Sequence, residues 1–587
     1  MLWLVRQIPP GACGAEMVCL TNIFLIVGLL ATSLKTCHSC EILPDDGNFT
    51  CGNDGVLKFT NWAMNLGAVE VGRGIASEPV TLQDVQAEVA NFLQVRAIQK
   101  SFQKDLNIRA LGRGHSWTPV FVDDGDWLML THKFAFDDGS RIRFSGLDED
   151  GIPLVQVAAG VTTGELALFM DAEENQEQLK YLGLPSDVIL DTARYGGIVA
   201  MGCHGAAWDH GSVPDFVQEL SIVDASGAHR VLCRNTTDPV EFNAGVASFG
   251  LFGITHSITL KLAPYPETPS LLVEDSAPLM NTYFSSEGLV GTALKDLAEN
   301  SYSVQVLWFA LNGASVNQSI QDWDPYSQDR LWVKRTTLSA ALERDGKPRS
   351  TFPGAAKPGP SLDSFVEMFG AQAQQFLQAA NSVEIYKVLA SFSLNESVTE
   401  GEQLTSFSGG IHHLLGLDEL KTMDFEMAFK LDTGFDVVSR AWNAAVDITK
   451  AFLRGERGEP KHPANLALEF RFTGHSDALM SPAYGKPGDH FLWIEVVGTT
   501  ENEGWEEFVN ELFDEWKVIL GPNGEKPKPH WAKWTPAGRA KLPRVGEYVK
   551  MVYAEQIAEF NAQLSGYDPR GVFLNDFFRD LGFGVGQ

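Results

Sequence analysis

The alternation of apolar and polar residues divides the chain into elements before any chemistry is considered. In TLQDVQAEVANFLQV, Val85, Val89, Phe92 and Leu93 share one face at helical spacing, and Thr81 stands where a side chain caps the first turn, so the pattern predicts a helix packed on a sheet. From Ile108 to about Pro266, short β-rich runs (VQVAAGV, QELSIVDA, GITHSITLKLAPY) alternate with glycine-rich turns and brief helical stretches such as Thr163 to Asp171, which reads as α+β. Further on, ANLALEFRFTG sets Leu466, Leu468, Phe470 and Phe472 on one face and Ala467, Glu469, Arg471 and Thr473 on the other, a strand with two distinct faces. The proline- and glycine-rich stretches FPGAAKPGPSLDS, RGERGEPKHP and GPNGEKPKPH read as surface loops, and no internal repeat is found.

The N-terminus follows another rule. Met17 to Leu34 is apolar and uncharged between Glu16 and Lys35, a targeting segment of a length between a signal-peptide core and a short membrane span. Cleavage and anchoring both stay open, so association with a membrane through 17–34 is one outcome, and a start at Met17 gives a more ordinary signal. Sequons at Asn48, Asn235, Asn317 and Asn395 fit entry into the secretory pathway, with the body of the protein on the lumenal or extracellular side. Of the cysteines, Cys13, Cys19, Cys37, Cys40 and Cys51 lie near the N-terminus and leave Cys203 and Cys233 for the body, so this is no disulfide scaffold, although Cys40 with Cys51 could form one bridge.

Composition narrows the function further. The 587 residues suffice for two or three packed units and for burying a large cofactor. With 44% apolar and 20% charged residues the chain is a folded globular protein. Its 75 acidic against 45 basic residues, a formal charge of −30, would repel a phosphate backbone and argue against nucleic acid as a partner.

Three stretches carry candidate chemistry. In RALGRGHSWTP, Gly112 and Gly114 permit tight backbone geometry before His115, whose neutral imidazole is a nucleophile, although the fragment alone reads better as a solvent-facing His in a glycine turn. In EFRFTG, Glu469 and Arg471 point to one side, roughly 6 to 7 Å apart along the strand. Buried, they would form a polar floor able to bind several hydroxyls; otherwise they are an exposed charged face. KPHWAKW places His530, Trp531 and Lys533 close together. The body has no HExxH and no paired CxxC, Cys203 suits a small buried hydrophobe, and no metal is expected.

The order of the motifs changes their weight. FTNWA, GRGHS, GGxxxxGxHG, HGxxxDxV and GLFGI, spread over about residues 55 to 265 and followed by EFRFTG and KPHWAKW, resemble the vanillyl-alcohol-oxidase superfamily of FAD enzymes, and specifically the aldonolactone oxidases that include gulonolactone and arabinonolactone oxidases. That resemblance implies an α+β protein: a targeting segment over 1–40, a two-subdomain PCMH-type FAD-binding domain over 55–265, and over 266–587 a cap domain on a large antiparallel sheet whose C-terminal segment returns to the flavin. His115 would carry the flavin covalently, with Gly112, Arg113, Gly114 and Ser116 cradling the pyrophosphate. Gly196, Gly197, Gly202, His204 and Gly205 would line the cofactor, and Ile254 would offer it backbone contacts. Glu469 and Arg471 would grip the substrate, and Lys533 would reach the flavin and the reacting hydroxyl, as base or as positive charge.

The implied reaction is hydride removal onto FAD from a CH–OH group of a sugar 1,4-lactone of the D-arabinono or L-gulono type, with oxygen as acceptor and hydrogen peroxide as product. Alditol oxidation and a dehydrogenase with another electron acceptor are the neighbouring alternatives. A secreted flavin- or glycan-binding protein without turnover is the alternative of another class. Met201 to Cys203 departs from the family's small or hydroxyl residues, which bears on oxygen access. Over residues 310 to 460 the resemblance is faint, and there the sequence leaves the size of the substrate unread.

Overall fold

The computed structural model describes residues 49–584 apart from 52–56, 72–75, 101–104, 173, 176–182, 264–266, 353–382, 400, 413–420, 501 and 535–542. The apolar stretch 17–34, the Asn48 sequon and the Cys40 partner of the expected bridge lie outside the described residues.

The expected first helix is present as Leu82–Lys100, with Val85, Val89 and Phe92 buried and Leu93 at the edge of the buried face. Thr81 caps it reciprocally: its Oγ1 accepts from Asp84 N at 3.2 Å while its own N–H donates to Asp84 Oδ2 at 2.9 Å. The helix Thr163–Asp171 has the expected span, fixed by a capping box between Thr162 and Glu165. These helices serve two small sheets. One is parallel, with Trp127–Leu130 between Ala76–Ser77 and Ile108–Leu111. The other is antiparallel, ordered His229–Cys233, Val217–Val223, Ile254–Lys261, Pro153–Ala158, Ile142–Leu147.

The second half is built on one eight-stranded antiparallel sheet. Its strands are β1 (Ser270–Ser276), β2 (Ser303–Trp308), β3 (Trp332–Ser339), β4 (Glu402–Thr405), β5 (Thr422–Lys430), β6 (Ala467–Gly474), β7 (His490–Thr499) and β8 (Lys528–Pro529). They lie side by side in the order β4-β1-β3-β2-β6-β7-β5-β8. Alternation sorts the two faces. Phe470, Phe425 and their neighbours meet the helices Asp436–Leu453 and Trp505–Trp516, with Trp442 5.3 Å from Phe470 and Trp516 5.9 Å from Phe425 between ring centres. The opposite face carries the charged residues and looks toward the first half of the chain.

The C-terminal segment closes the structure by returning to that first half. Trp117 N donates to Ala532 O at 2.8 Å, Ile108 N to Val572 O at 3.0 Å, and Asn575 Nδ2 to Pro119 O at 2.9 Å. The α+β architecture with a large antiparallel sheet is the one the sequence predicts.

Candidate active site

A continuous cavity of about 450 Å³ runs between the two halves. One wall is the turn 112–116, where Gly114 has a φ of +76°, a conformation that favours glycine. The FTNWA segment clamps this turn: Trp62 N donates to Gly114 O at 2.8 Å and Asn61 Nδ2 to Ser116 O at 2.9 Å. The Trp62 ring stacks on the His115 imidazole, 4.8 Å between centres and 11° from parallel. His115 thereby stands at the cavity wall with its ring plane set.

Gly196, Gly197 and His204 form a second wall and Gly250 and Gly253 a third. A β-carbon at Gly197 or Gly250 would meet no atom within 4 Å, so both backbones open onto empty space that a planar ligand can fill. Gly202, Gly205 and Ile254 do not line this cavity. Gly202 turns the chain at a φ of +66°. Gly205 packs so closely that a β-carbon would lie 2.3 Å from Ser186 Oγ and 2.6 Å from Asp187 O. Ile254 is buried in its strand while its neighbours Gly253 and Thr255 border the cavity. The long glycine-walled cavity fits FAD, which Gly112, Arg113, Gly114, His115, Ser116, Gly196 and Gly197 would hold.

The remaining wall is the charged face of the large sheet. Glu469 and Arg471 are buried, not an exposed face, at 7% and 6% exposure. Register sets Glu469 opposite Glu495 and Glu495 opposite Glu426, so three carboxyls form one row across β6, β7 and β5, with Asp424 one step along β5. Two cations hold the row together. Arg471 Nε lies 3.0 Å from Glu469 Oε1 while its other arm pairs with Glu495. Lys533 Nζ lies 3.0 Å from Asp424 Oδ2 and 3.3 Å from Glu426 Oε2 and donates to Glu495. The return segment delivers Lys533, because His530 N donates to Glu426 O at 3.0 Å and Thr118 Oγ1 donates to Trp534 O at 2.6 Å.

The protonation pattern follows. Burial opposes the Lys533 charge, but Asp424, Glu426 and Glu495 outweigh it and hold the group well above the ordinary lysine range. A lysine held in its ammonium form suits the role of positive charge. Burial raises Glu495, yet Lys533 and Arg471 pull it down to about 2, and Glu426 is held well below its ordinary range by Lys533 and His204 against the same burial. Burial and Glu495 win at the other two carboxyls: Glu469 rises to about 8 against the pull of Arg471, and Asp424 lies well above its ordinary value. The cations thus divide the row: Glu426 and Glu495 are held toward the carboxylate form, while burial drives Glu469 and Asp424 toward the acid form. Burial also lowers both histidines, His530 to about 3, leaving neutral imidazoles.

His204, Glu426 and His530 bring ligand atoms within 4.8 Å of one another, a spacing able to hold a metal ion. The Lys533 ammonium beside Glu426 already supplies the positive charge, and its repulsion disfavours a divalent ion there. Cys203, beside His204, is half-buried at the cavity wall and not fully buried as expected, and desolvation pushes its thiol up to about 12, against a reactive thiol.

Asp424, Glu426 and Glu495 escape a reading of the sequence. Their signal was present: TMDFEMAFK alternates two acids with Met423, Phe425 and Met427, and FLWIEVVG holds a lone Glu in an apolar run.

The fold is that of the PCMH-type FAD-binding oxidases. The structure superposes on cholesterol oxidase from B. sterolicum with a TM-score of 0.65 at 17% identity, covering 89% of this chain and 96% of that one. The chain is a relative of the aldonolactone and alditol oxidases: the D-arabinono-1,4-lactone oxidase family matches residues 440–581, the segment that contains Glu469, Arg471, Glu495 and Lys533. Alditol oxidase from a Streptomyces species is 24% identical over 535 residues, 89% of this chain and 98% of its own. Probable L-gulonolactone oxidase 6 from Arabidopsis thaliana is 43% identical over 160 residues, 26% of this chain and 24% of its own length.

Proposed function

We propose that this protein is an FAD-dependent oxidase of a CH–OH group on a sugar 1,4-lactone or closely related polyol, with oxygen as acceptor and hydrogen peroxide as product. The observation that carries the reading is the convergence of Glu469, Arg471 and Lys533 on one cavity with the His115 turn. Arg471 offers a rigid fork of donors, and Glu469, a neutral acid near pH 7, can donate to one hydroxyl while accepting from another. FAD, when bound, supplies the hydride acceptor. Lys533, held as an ammonium, stabilises negative charge developing on the substrate oxygen, which is stabilisation specific to the transition state. The hydride and the proton of the reacting hydroxyl together become the two hydrogens of the peroxide released.

The same reading assigns the covalent flavin link to His115, supported by a ring held by Trp62 at the cavity wall. It places the protein in the secretory pathway, cleaved or anchored through 17–34. Asn235, Asn317 and Asn395 are all exposed, as glycosylation requires. No helix among the described residues is long and apolar enough to cross a membrane.

The test is acid precipitation of the purified protein followed by flavin fluorescence of the pellet and peroxide release with a panel of aldonolactones and alditols. Flavin retained on the peptide containing His115, with peroxide from at least one panel member, supports the reading. A colourless protein that FAD does not reconstitute moves the assignment to a binding protein without turnover.

A further inference from the structure

The cavity does not end at the charged residues. The register row that holds Glu426, Glu495 and Glu469 continues across the sheet to Leu307 on β2 and Trp332 on β3, each directly opposite the last. Polarity changes between Glu469 and Leu307, one strand apart. Beyond that line the cavity is an apolar arm walled by Leu307, Trp332, Phe309, Tyr386, Leu389 and Ala390.

The helix Val383–Ser397 supplies three of these walls, and Lys387 anchors it, donating to Gln318 O at 2.7 Å and pairing with Glu384 at 3.0 Å. Polar groups in the arm are mostly spent on protein. Tyr386 Oη accepts from Asn465 Nδ2 at 3.1 Å, and the same amide nitrogen reaches Thr499 Oγ1 at 3.1 Å. A sugar hydroxyl pushed into this arm would find Ser393 and Ser397 but few other partners for the water it loses. One group differs. His462 borders the arm at 5% exposure, its two ring nitrogens closed to solvent and without a hydrogen-bond partner among the described residues, so a small turn of the ring would be needed to present one to a ligand. A buried imidazole with both nitrogens idle is costly unless something else completes it.

We propose that the site accepts a substrate in two parts: a hydroxyl-bearing head held by Glu469, Arg471 and Lys533, and an apolar, ring-sized substituent that fills the arm and hydrogen-bonds to His462. This rests on the CH–OH oxidase reading and narrows it from free sugars to amphiphilic derivatives such as aryl ethers of a polyol or lactone.

The test uses the wild-type flavin-loaded enzyme and three compounds: xylitol, its 1-O-benzyl ether, and its 1-O-(4-hydroxybenzyl) ether. Burial of the ring should raise kcat/KM by about 10- to 100-fold from xylitol to the benzyl ether. The phenol should gain a further several-fold, and that second gain should vanish in His462→Phe, with the benzyl ether as the reference in the same variant. A benzyl ether no better than xylitol, where xylitol is oxidised, overturns the arm as a subsite. If none of the three is oxidised, the CH–OH oxidase reading fails for this substrate class, and calorimetry decides the arm separately. Binding of the benzyl ether with a negative heat-capacity change, absent for xylitol, upholds it; no heat with the benzyl ether at any of several temperatures overturns it.

Discussion

The Lys533 ammonium lies 3.0 Å from Asp424 Oδ2 while also touching Glu426 and Glu495, so one cation on the returning C-terminal segment neutralises acids from two strands of the sheet. Lys533→Met should lower kcat by about 10²- to 10³-fold, the scale of losing one preorganised electrostatic donor. It should also destabilise the fold by about 3–5 kcal/mol, because buried carboxylates lose their cation. Turnover assays and denaturant unfolding check the two effects, and Lys533→Arg should restore stability more than activity.

Arg471 holds Glu469 and Glu495 and faces the cavity, so Arg471→Ala should raise the apparent KM by roughly 10- to 100-fold, as expected for a charged hydrogen bond of about 1.5–3 kcal/mol. Steady-state kinetics on the best panel substrate reads this. Wild-type kinetics would remove β6 from the active site.

Glu469 gives a pH signature. Its carboxyl titrates near 8 in the folded protein against an ordinary value of 4.5, so between these values the folded state carries an extra proton and stability falls as pH rises, by up to about 1.4 kcal/mol per unit. Glu495, held down to about 2, behaves oppositely: its stabilisation is present above 4.5 and is lost as pH falls toward 2. Urea unfolding from pH 5 to 9 should therefore show a decline that Glu469→Gln flattens.

His115→Ala should retain some bound flavin and lose the acid-stable adduct. Gel fluorescence of denatured protein measures it, and unchanged acid-stable flavin would sink the assignment.

Gly197 and Gly205 separate cradle from packing. A side chain at Gly197 enters open space, so Gly197→Val should fold with a Tm close to the parent and bind less flavin. Gly205→Val pushes a side chain into Ser186 and Asp187 and should lower Tm outright. Thermal melts and flavin absorbance ratios distinguish the two.

Much of this site was legible in the chain because local geometry dictates it. A period-two strand must put Glu469 and Arg471 on one side, and a glycine turn must present His115. Whether that side is buried was not legible, since burial is decided by β5 and β7 and by the loop carrying Lys533. Asp424, Glu426 and Glu495 were missed for the same reason: their meaning lies in register across strands far apart in sequence. Gly205 and Ile254 read as cofactor contacts because packing and lining ask for similar residues at such positions. The middle region gave no motif, and its contribution, Trp332 and the helix Val383–Ser397, became readable when the sheet placed Leu307 beside Glu469.

The return of the C-terminal segment also sets an order of assembly. Trp117 is hydrogen-bonded to Ala532 and Ile108 to Val572, so a nascent chain stopped before residue 528 lacks both Lys533 and the segment that backs the His115 turn. The early sheets can form on the ribosome, but the cofactor chamber closes last, after nearly all of the polypeptide has been made. A chain truncated before residue 528 should therefore take up little FAD.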